Sequence, residues 1–151
     1  MTFSIKIVDP RCSFSAAHFL LEHEKCCRIH GHNYIVQVEL FGILDQNMYI
    51  YDFSVVKKNI MDIVAELDHY FLIAVNNSGF HVEEDGEYYN VTSAKYKYRL
   101  PKDNVKLLDI KATTAECLAY YIHKKLKKIY PTNRISVSVN ESYGSVATYS
   151  D

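Results

Sequence analysis

Apolar and polar residues alternate with a period of two from Tyr34 to Phe41, the pattern of a strand with one buried face. Phe3-Ser-Ile-Lys-Ile-Val-Asp alternates more weakly, and Cys12-Ser-Phe-Ser-Ala-Ala-His resumes an extended pattern. This opening portion predicts two long antiparallel strands separated by a histidine-rich loop. The period then changes. Val56, Ile60, Ile63, Val64 and Leu67 share one face at helical spacing behind Asp52, whose side chain suits an N-cap. They predict a first helix ending at Asp68-His69. Leu118, Ile122, Leu126 and Ile129 predict a second helix, with Thr113 or Thr114 ahead of Glu116 as its start signal and Pro131 beyond its end.

Between these helices, Asp85-Gly86 is flanked by Phe80-His-Val-Glu and Tyr88-Tyr-Asn-Val, a hairpin signal, and Tyr96-Lys-Tyr-Arg-Leu alternates again. Residues 73–111 therefore read as a strand-rich insertion. Arg134-Ile-Ser-Val-Ser-Val-Asn-Glu and Ser145-Val-Ala-Thr-Tyr predict a last hairpin through Tyr143-Gly144. The order of elements gives an α+β fold with an antiparallel sheet, in one domain over 1–151. Two helices cover only one face of such a sheet, so its other face and its edges call for partners, and oligomerisation is expected.

With 151 residues the chain is long enough to bury roughly 70% of its unfolded surface without disulfide staples. Its 48% hydrophobic and 23% charged residues and formal net charge of -1 are those of an ordinary globular protein and point away from nucleic acid. Lys124, Lys125, Lys127 and Lys128 fall on the second helix, where a charge run is a solvated face. No apolar run approaches the roughly 20 residues of a membrane span, and no signal-peptide pattern opens the chain, so a cytoplasmic protein is expected. Four cysteines, two of them adjacent, do not form a secreted disulfide framework. Without secretion, the glycosylation triplets at Asn76, Asn90 and Asn140 are chance matches.

Chemistry enters with His18, His30 and His32. Residues at i and i+2 on a strand project to one face, so His30 and His32 can reach one ion while His18 closes in from a neighbouring strand. Three imidazoles leave a fourth position open, the arrangement of catalytic zinc. Cys26 lies four residues before His30, where its thiol could ligate the metal or act beside it as a base. Cys12, Cys27 and Cys117 read as structural cysteines, and His23, His81 and His123 as surface residues.

The segments Phe14-Ser-Ala-Ala-His18, Cys26-x-x-x-His30-Gly-His32-Asn-Tyr34, Tyr51-Asp-Phe53, Leu67-Asp-His69, Thr113-Thr-Ala-Glu116 and Val139-Asn-Glu141 run in order along the chain. In them the chain resembles the 6-pyruvoyltetrahydropterin synthase and 6-carboxytetrahydropterin synthase family of zinc-dependent pterin enzymes. The Cys-x3-His-Gly-His spacing is similar to the carboxy branch in particular. The resemblance implies a T-fold, in which subunits join sheets into a β-barrel as trimers that stack into a homohexamer. It implies Zn2+ on His18, His30 and His32, and Cys26 as a base or proton shuttle. It makes His69 the acid–base partner oriented by Asp68, reaching the zinc of an adjacent subunit. Glu141 becomes the carboxylate that anchors the pterin ring. Thr114 and Glu116 assist ring binding, although Glu116 equally suits the capping box of the second helix.

What the resemblance implies for function is conversion of 7,8-dihydroneopterin triphosphate to 6-carboxy-5,6,7,8-tetrahydropterin, acetaldehyde and triphosphate, a lyase reaction on the queuosine and archaeosine route of tRNA modification. The alternatives are 6-pyruvoyltetrahydropterin synthase on the same substrate and a non-catalytic zinc- or pterin-binding module. The insertion at 73–111 bears on substrate choice, and Cys27 is a second candidate for the role of Cys26.

Overall fold

A computed structural model describes residues 2–151. Its strands are β1 (Phe3–Ile7), β2 (Ser13–His18), β3 (His30–Gly42), β4 (Tyr70–Ala74), β5 (Phe80–Asp85), β6 (Tyr88–Ser93), β7 (Lys97–Pro101), β8 (Val105–Leu108), β9 (Arg134–Ser142) and β10 (Ser145–Ser150). Helix α1 (Phe53–Ala65) follows β3, and α2 (Ala115–Ile129) follows β8. The main sheet runs β10-β9-β3-β2-β4-β8, and β1 pairs with the far end of β3. Strands β5, β6 and β7 form a separate three-stranded sheet.

The alternation in β3 does what it predicts. Tyr34, Val36, Val38 and Leu40 are buried, as are Ile135, Val137 and Val139 of the neighbouring β9. They form one core with Val56, Ile60, Ile63 and Val64 of α1 and with Leu118, Ile122 and Leu126 of α2. The Asp52 carboxylate caps α1 by accepting the Ser54 N–H. The hairpin turns contain Gly86 at φ 58° and Gly144 at φ 83°, a backbone region where glycine has no Cβ penalty. No helix among the described residues is long and apolar enough to cross a membrane.

Several expectations need correction. The predicted histidine-rich loop is shorter, because β3 begins at His30 and the strand itself carries two of the histidines. Helix α1 ends at Ala65, and a turn leads through Leu67 to Asp68-His69. The sheet is mixed: β4 lies parallel to β2, and β8 parallel to β4. Phe71, Leu72, Ile73 and Ala74 are all buried, as expected of a strand covered on both faces. The β5–β7 sheet supplies the second cover, packing Val91 against Phe19, Phe71, Ile73 and Val105. It spans 80–101, inside the expected 73–111 segment, whose remaining strands belong to the main sheet.

His123 is buried, contrary to its reading as a surface residue. It falls four residues after Ala119 on the packed face of α2, lies edge-on to Tyr149 and brings Nε2 to 3.3 Å from Asp151 Oδ1. The lysine run is likewise only partly a solvated face: Lys125 pairs with Glu66, and Lys127 with Asp151 at 2.6 Å. Cys12 and Cys27 are buried as expected, whereas Cys117 is half-buried.

Leu118 sits fully buried where α2 meets the sheet, so Leu118→Ala should cost about 2–5 kcal/mol by leaving a cavity. Urea unfolding followed by circular dichroism should show a lower midpoint at an unchanged slope.

Candidate active site

The β2–β3 ladder pairs His18 with His30, and the two-residue step along β3 brings His32 onto the same face. Glu141 reaches that face from β9, the strand on the other side of β3. One ligand atom from each of His18, His30, His32 and Glu141 lies within 4.8 Å of the others. Glu141 Oε1 stands 2.8 Å from His32 Nε2 and 3.6 Å from His18 Nε2. The residue expected at the pterin ring thus stands, in this structure, against the histidines.

Backbone carbonyls orient two of the rings. His18 Nδ1 lies 2.9 Å from the Thr113 carbonyl oxygen, and His30 Nδ1 lies 2.7 Å from that of Arg28. A carbonyl only accepts, so Nδ1 carries the proton in each ring and Nε2 presents its lone pair inward. The Nε2 atoms of His30 and His32 are buried; that of His30 makes no hydrogen bond, and that of His32 faces the Glu141 carboxylate oxygen. Buried ring nitrogens converging beside a carboxylate fit a divalent metal ion with nitrogen and oxygen ligands. Burial, reinforced by the neighbouring His30, pushes the His18 pKa down to about 4, which keeps that lone pair available in neutral solution. Tyr34 continues the two-residue step from His32; its hydroxyl is 3.4 Å from His18 Nε2, and its ring stacks on Phe14 at 4.7 Å.

Cys26 lies in the segment joining β2 to β3, half-buried and outside the four-residue cluster. Its carbonyl accepts the Leu20 N–H at 2.7 Å, and its own N–H donates to His23 Nδ1 at 3.2 Å. The adjacent Cys27 is buried and donates its S–H to the Glu24 carbonyl at 3.2 Å. With that hydrogen committed, the Tyr96 hydroxyl, 3.5 Å from Cys27 Sγ, is the donor in the second contact. Both cysteines are free thiols.

Asp68 and His69 form a pair of their own. Asp68 Oδ2 is 2.8 Å from His69 Nδ1, while Oδ1 accepts the Ser15 N–H at 2.7 Å. The Ser15 N–H, more than the His69 ring, holds the Asp68 carboxyl below its ordinary pKa. His69 adopts φ 62°, a left-handed conformation uncommon for a residue with a Cβ. Its side chain is 82% exposed and borders an open cavity of about 610 Å³ lined by Ser15, Ala17, Gly31 and Asn33, and also by Ala16 and His32. Ser15, Ala17, Gly31 and Asn33 alternate with Ala16, His18, His30 and His32, so the cavity opens mainly on the sheet face opposite the one that carries the histidine side chains, and His32 alone of the cluster borders it. Within one chain the two groups are not brought together.

Thr114 is the N-cap of α2, its hydroxyl accepting the Cys117 N–H at 3.4 Å. Glu116 consequently falls at the second helical position and is exposed, one residue short of capping-box geometry. Thr113, the other candidate cap, instead holds His18. Thr113 and Thr114 also line a mainly apolar cavity of about 390 Å³ with Phe19, Leu21, Leu72 and Phe80. Sequence reasoning assigned no site role to Thr113, Tyr34 or Tyr96. For Tyr34 the signal was present, since residues 30, 32 and 34 share one strand face. For Thr113, 95 positions from His18, and for Tyr96 nothing local marked the contact.

Residues 8–151 match the family described as 6-pyruvoyl tetrahydropterin synthase, and the chain belongs to that family. Among its relatives, a Methanocaldococcus jannaschii protein provisionally named as a 6-carboxy-5,6,7,8-tetrahydropterin synthase is 36% identical over 143 residues, covering 90% of this chain and 88% of that protein. The 6-carboxy-5,6,7,8-tetrahydropterin synthase of Synechocystis is 29% identical over 150 residues, covering 95% and 92%. A catalytic-residue mutant of Plasmodium vivax 6-pyruvoyltetrahydropterin synthase superposes with a TM-score of 0.92 at 26% identity, covering 100% of this chain and 98% of that one.

Burial of His18 makes stability depend on pH. The unfolded chain takes up this proton near the ordinary value of 6.5, whereas the folded chain refuses it until about 4. The unfolded state therefore binds more protons between those values, and stability falls as pH drops through that window. Metal-free protein should show a Tm that declines across it, and His18→Asn should decline less; parallel curves for the two proteins would contradict the assignment.

Proposed function

We propose that this chain converts 7,8-dihydroneopterin triphosphate and one water molecule to 6-carboxy-5,6,7,8-tetrahydropterin, acetaldehyde and triphosphate, with Zn2+ as its metal. The observation that carries this reading is the convergence of three histidine ring nitrogens beside the Glu141 carboxylate, that of His30 buried without a hydrogen-bond partner. The relatives named for this reaction support it over most of the chain length. Zinc on His18, His30 and His32 would supply a Lewis acid that polarises a substrate oxygen and acidifies the neighbouring C–H.

The protein's own residues do the rest. Cys26, as a thiolate, removes the proton from the side-chain carbon. His69 exchanges protons at the substrate oxygens through Nε2, because Asp68 engages Nδ1 and fixes the tautomer. Glu141 leaves the imidazoles when the ring enters and accepts the N3–H and 2-amino hydrogens together, a bidentate contact. Thr114 and Glu116 border the ring at the start of α2.

Because Asp68-His69 lies across the sheet from its own histidine cluster, it serves the site of an adjacent subunit. The assembly proposed is a homohexamer of two trimers, each closing its sheets into a barrel. The product would enter the cytoplasmic route to queuosine- or archaeosine-modified tRNA. The rival reading, 6-pyruvoyltetrahydropterin synthase, draws on the likeness to the Plasmodium vivax structure and retains all three side-chain carbons in the product.

Two experiments test these assignments. Mass spectrometry of zinc-loaded protein with 7,8-dihydroneopterin triphosphate should detect 6-carboxytetrahydropterin and acetaldehyde, both lost on chelation; a pyruvoyl product would install the rival. Cys26→Ala and His69→Ala should each lose about 10²-fold or more in kcat. Oligomers refolded from an equal mixture of the two variants should recover about a quarter of wild-type activity, because random assembly rebuilds that share of sites from intact halves. Full activity in Cys26→Ala would transfer the base role to Cys27, and no recovery on mixing would place both residues in one subunit's site.

A further inference from the structure

Tyr34 is completely buried, yet its hydroxyl has a single neighbour of the right kind, His18 Nε2 at 3.4 Å. That nitrogen is the lone pair His18 offers to a metal, since Nδ1 is engaged by Thr113. A metal ion and the phenol O–H cannot share it. Once the ion is bound, the hydroxyl needs another acceptor, because a buried donor without one is costly.

The strand ladder supplies the candidate. Antiparallel pairing of β3 with β9 joins Val36 to Val139 and Ile35 to Asn140. Tyr34 and Glu141 are the next residues of the two strands, just past the last pair, and both reach His18 on the core-facing side. The Glu141 carboxylate already stands 3.6 Å from the same His18 nitrogen that the phenol contacts.

We infer that, in the metal-loaded protein, Tyr34 donates its hydroxyl hydrogen to Glu141 and is the positioning residue that aims this carboxylate at the pterin ring. The inference rests on the assignment of Glu141 as the ring anchor. The hydroxyl occupies one carboxylate lone pair and leaves the others for the ring's N3–H and 2-amino donors. Tyr34 then acts on ring binding and leaves the chemical step to other residues.

The test is a double-mutant cycle on zinc-loaded protein, with neopterin as a non-reacting fluorescent probe that keeps the ring edge Glu141 would read. Tyr34→Phe retains the ring that stacks on Phe14, and its zinc content should match wild type. Tyr34→Phe and Glu141→Gln should each weaken neopterin binding about tenfold, and the double variant by no more than the larger single effect. With substrate, Tyr34→Phe should raise KM while kcat holds. Unchanged neopterin binding in Tyr34→Phe, or effects that multiply in the double variant, would overturn the inference while leaving Glu141 as anchor. Loss of zinc from Tyr34→Phe would also overturn it, by assigning the hydroxyl to the metal ligands. Wild-type binding in Glu141→Gln would instead remove the anchor reading, and this inference with it.

Discussion

The antiparallel register between β2 and β3 is the constraint on which the site depends. It sets His18 beside His30 and gives both strands one face for histidines and core residues. A slip of one residue would send every side chain of one strand to the opposite face and disperse the cluster. Gly31 helps hold the register close. A Cβ there would approach the Ala16 carbonyl oxygen to 2.9 Å, against backbone that cannot swing aside. The small residue between the two histidines is therefore part of how the strands pack.

The sheet then separates two kinds of chemistry. Its helix-covered face carries His18 and Tyr34, both buried, and His30, His32 and Glu141, half-buried. Its other face carries His69 above a floor of small and polar side chains, where Ser15 Oγ and Asn33 Oδ1 lie 2.6 Å apart. Toward β4 and β8 that second face is closed by the β5–β7 sheet through the Phe19 aromatic cluster, with ring centroids 5.5–5.8 Å apart. The same small sheet contacts the Cys26-bearing segment through Tyr96 and Cys27. The insertion thus braces the segment from which the proposed base emerges, in addition to covering β4.

Much of this was legible locally. Asp52 and the Thr113-Thr114 pair announced helix starts, Gly86 and Gly144 announced hairpins, and the step of two from His30 to His32 announced a shared face. These signals work because capping, turn conformation and strand alternation are decided by a few neighbouring residues. The Asp68-His69 pair had no such pattern and was found only through resemblance. Its geometry depends on the Ser15 amide and carbonyl, which hold a turn that the sequence around it does not specify.

The sequence by itself determined the two helices, most of the strands and the identity of three candidate metal ligands, since each follows from periodicity within a short window. Tertiary structure decided which groups meet. It assigned Thr113 to His18 rather than to the helix cap, set Glu141 among the imidazoles, buried His123 against Tyr149 and Asp151, and recruited β4 and β8 into parallel pairs. Each of these outcomes depends on contacts with residues distant in the chain or on the covering of a second sheet face, and no local propensity encodes either.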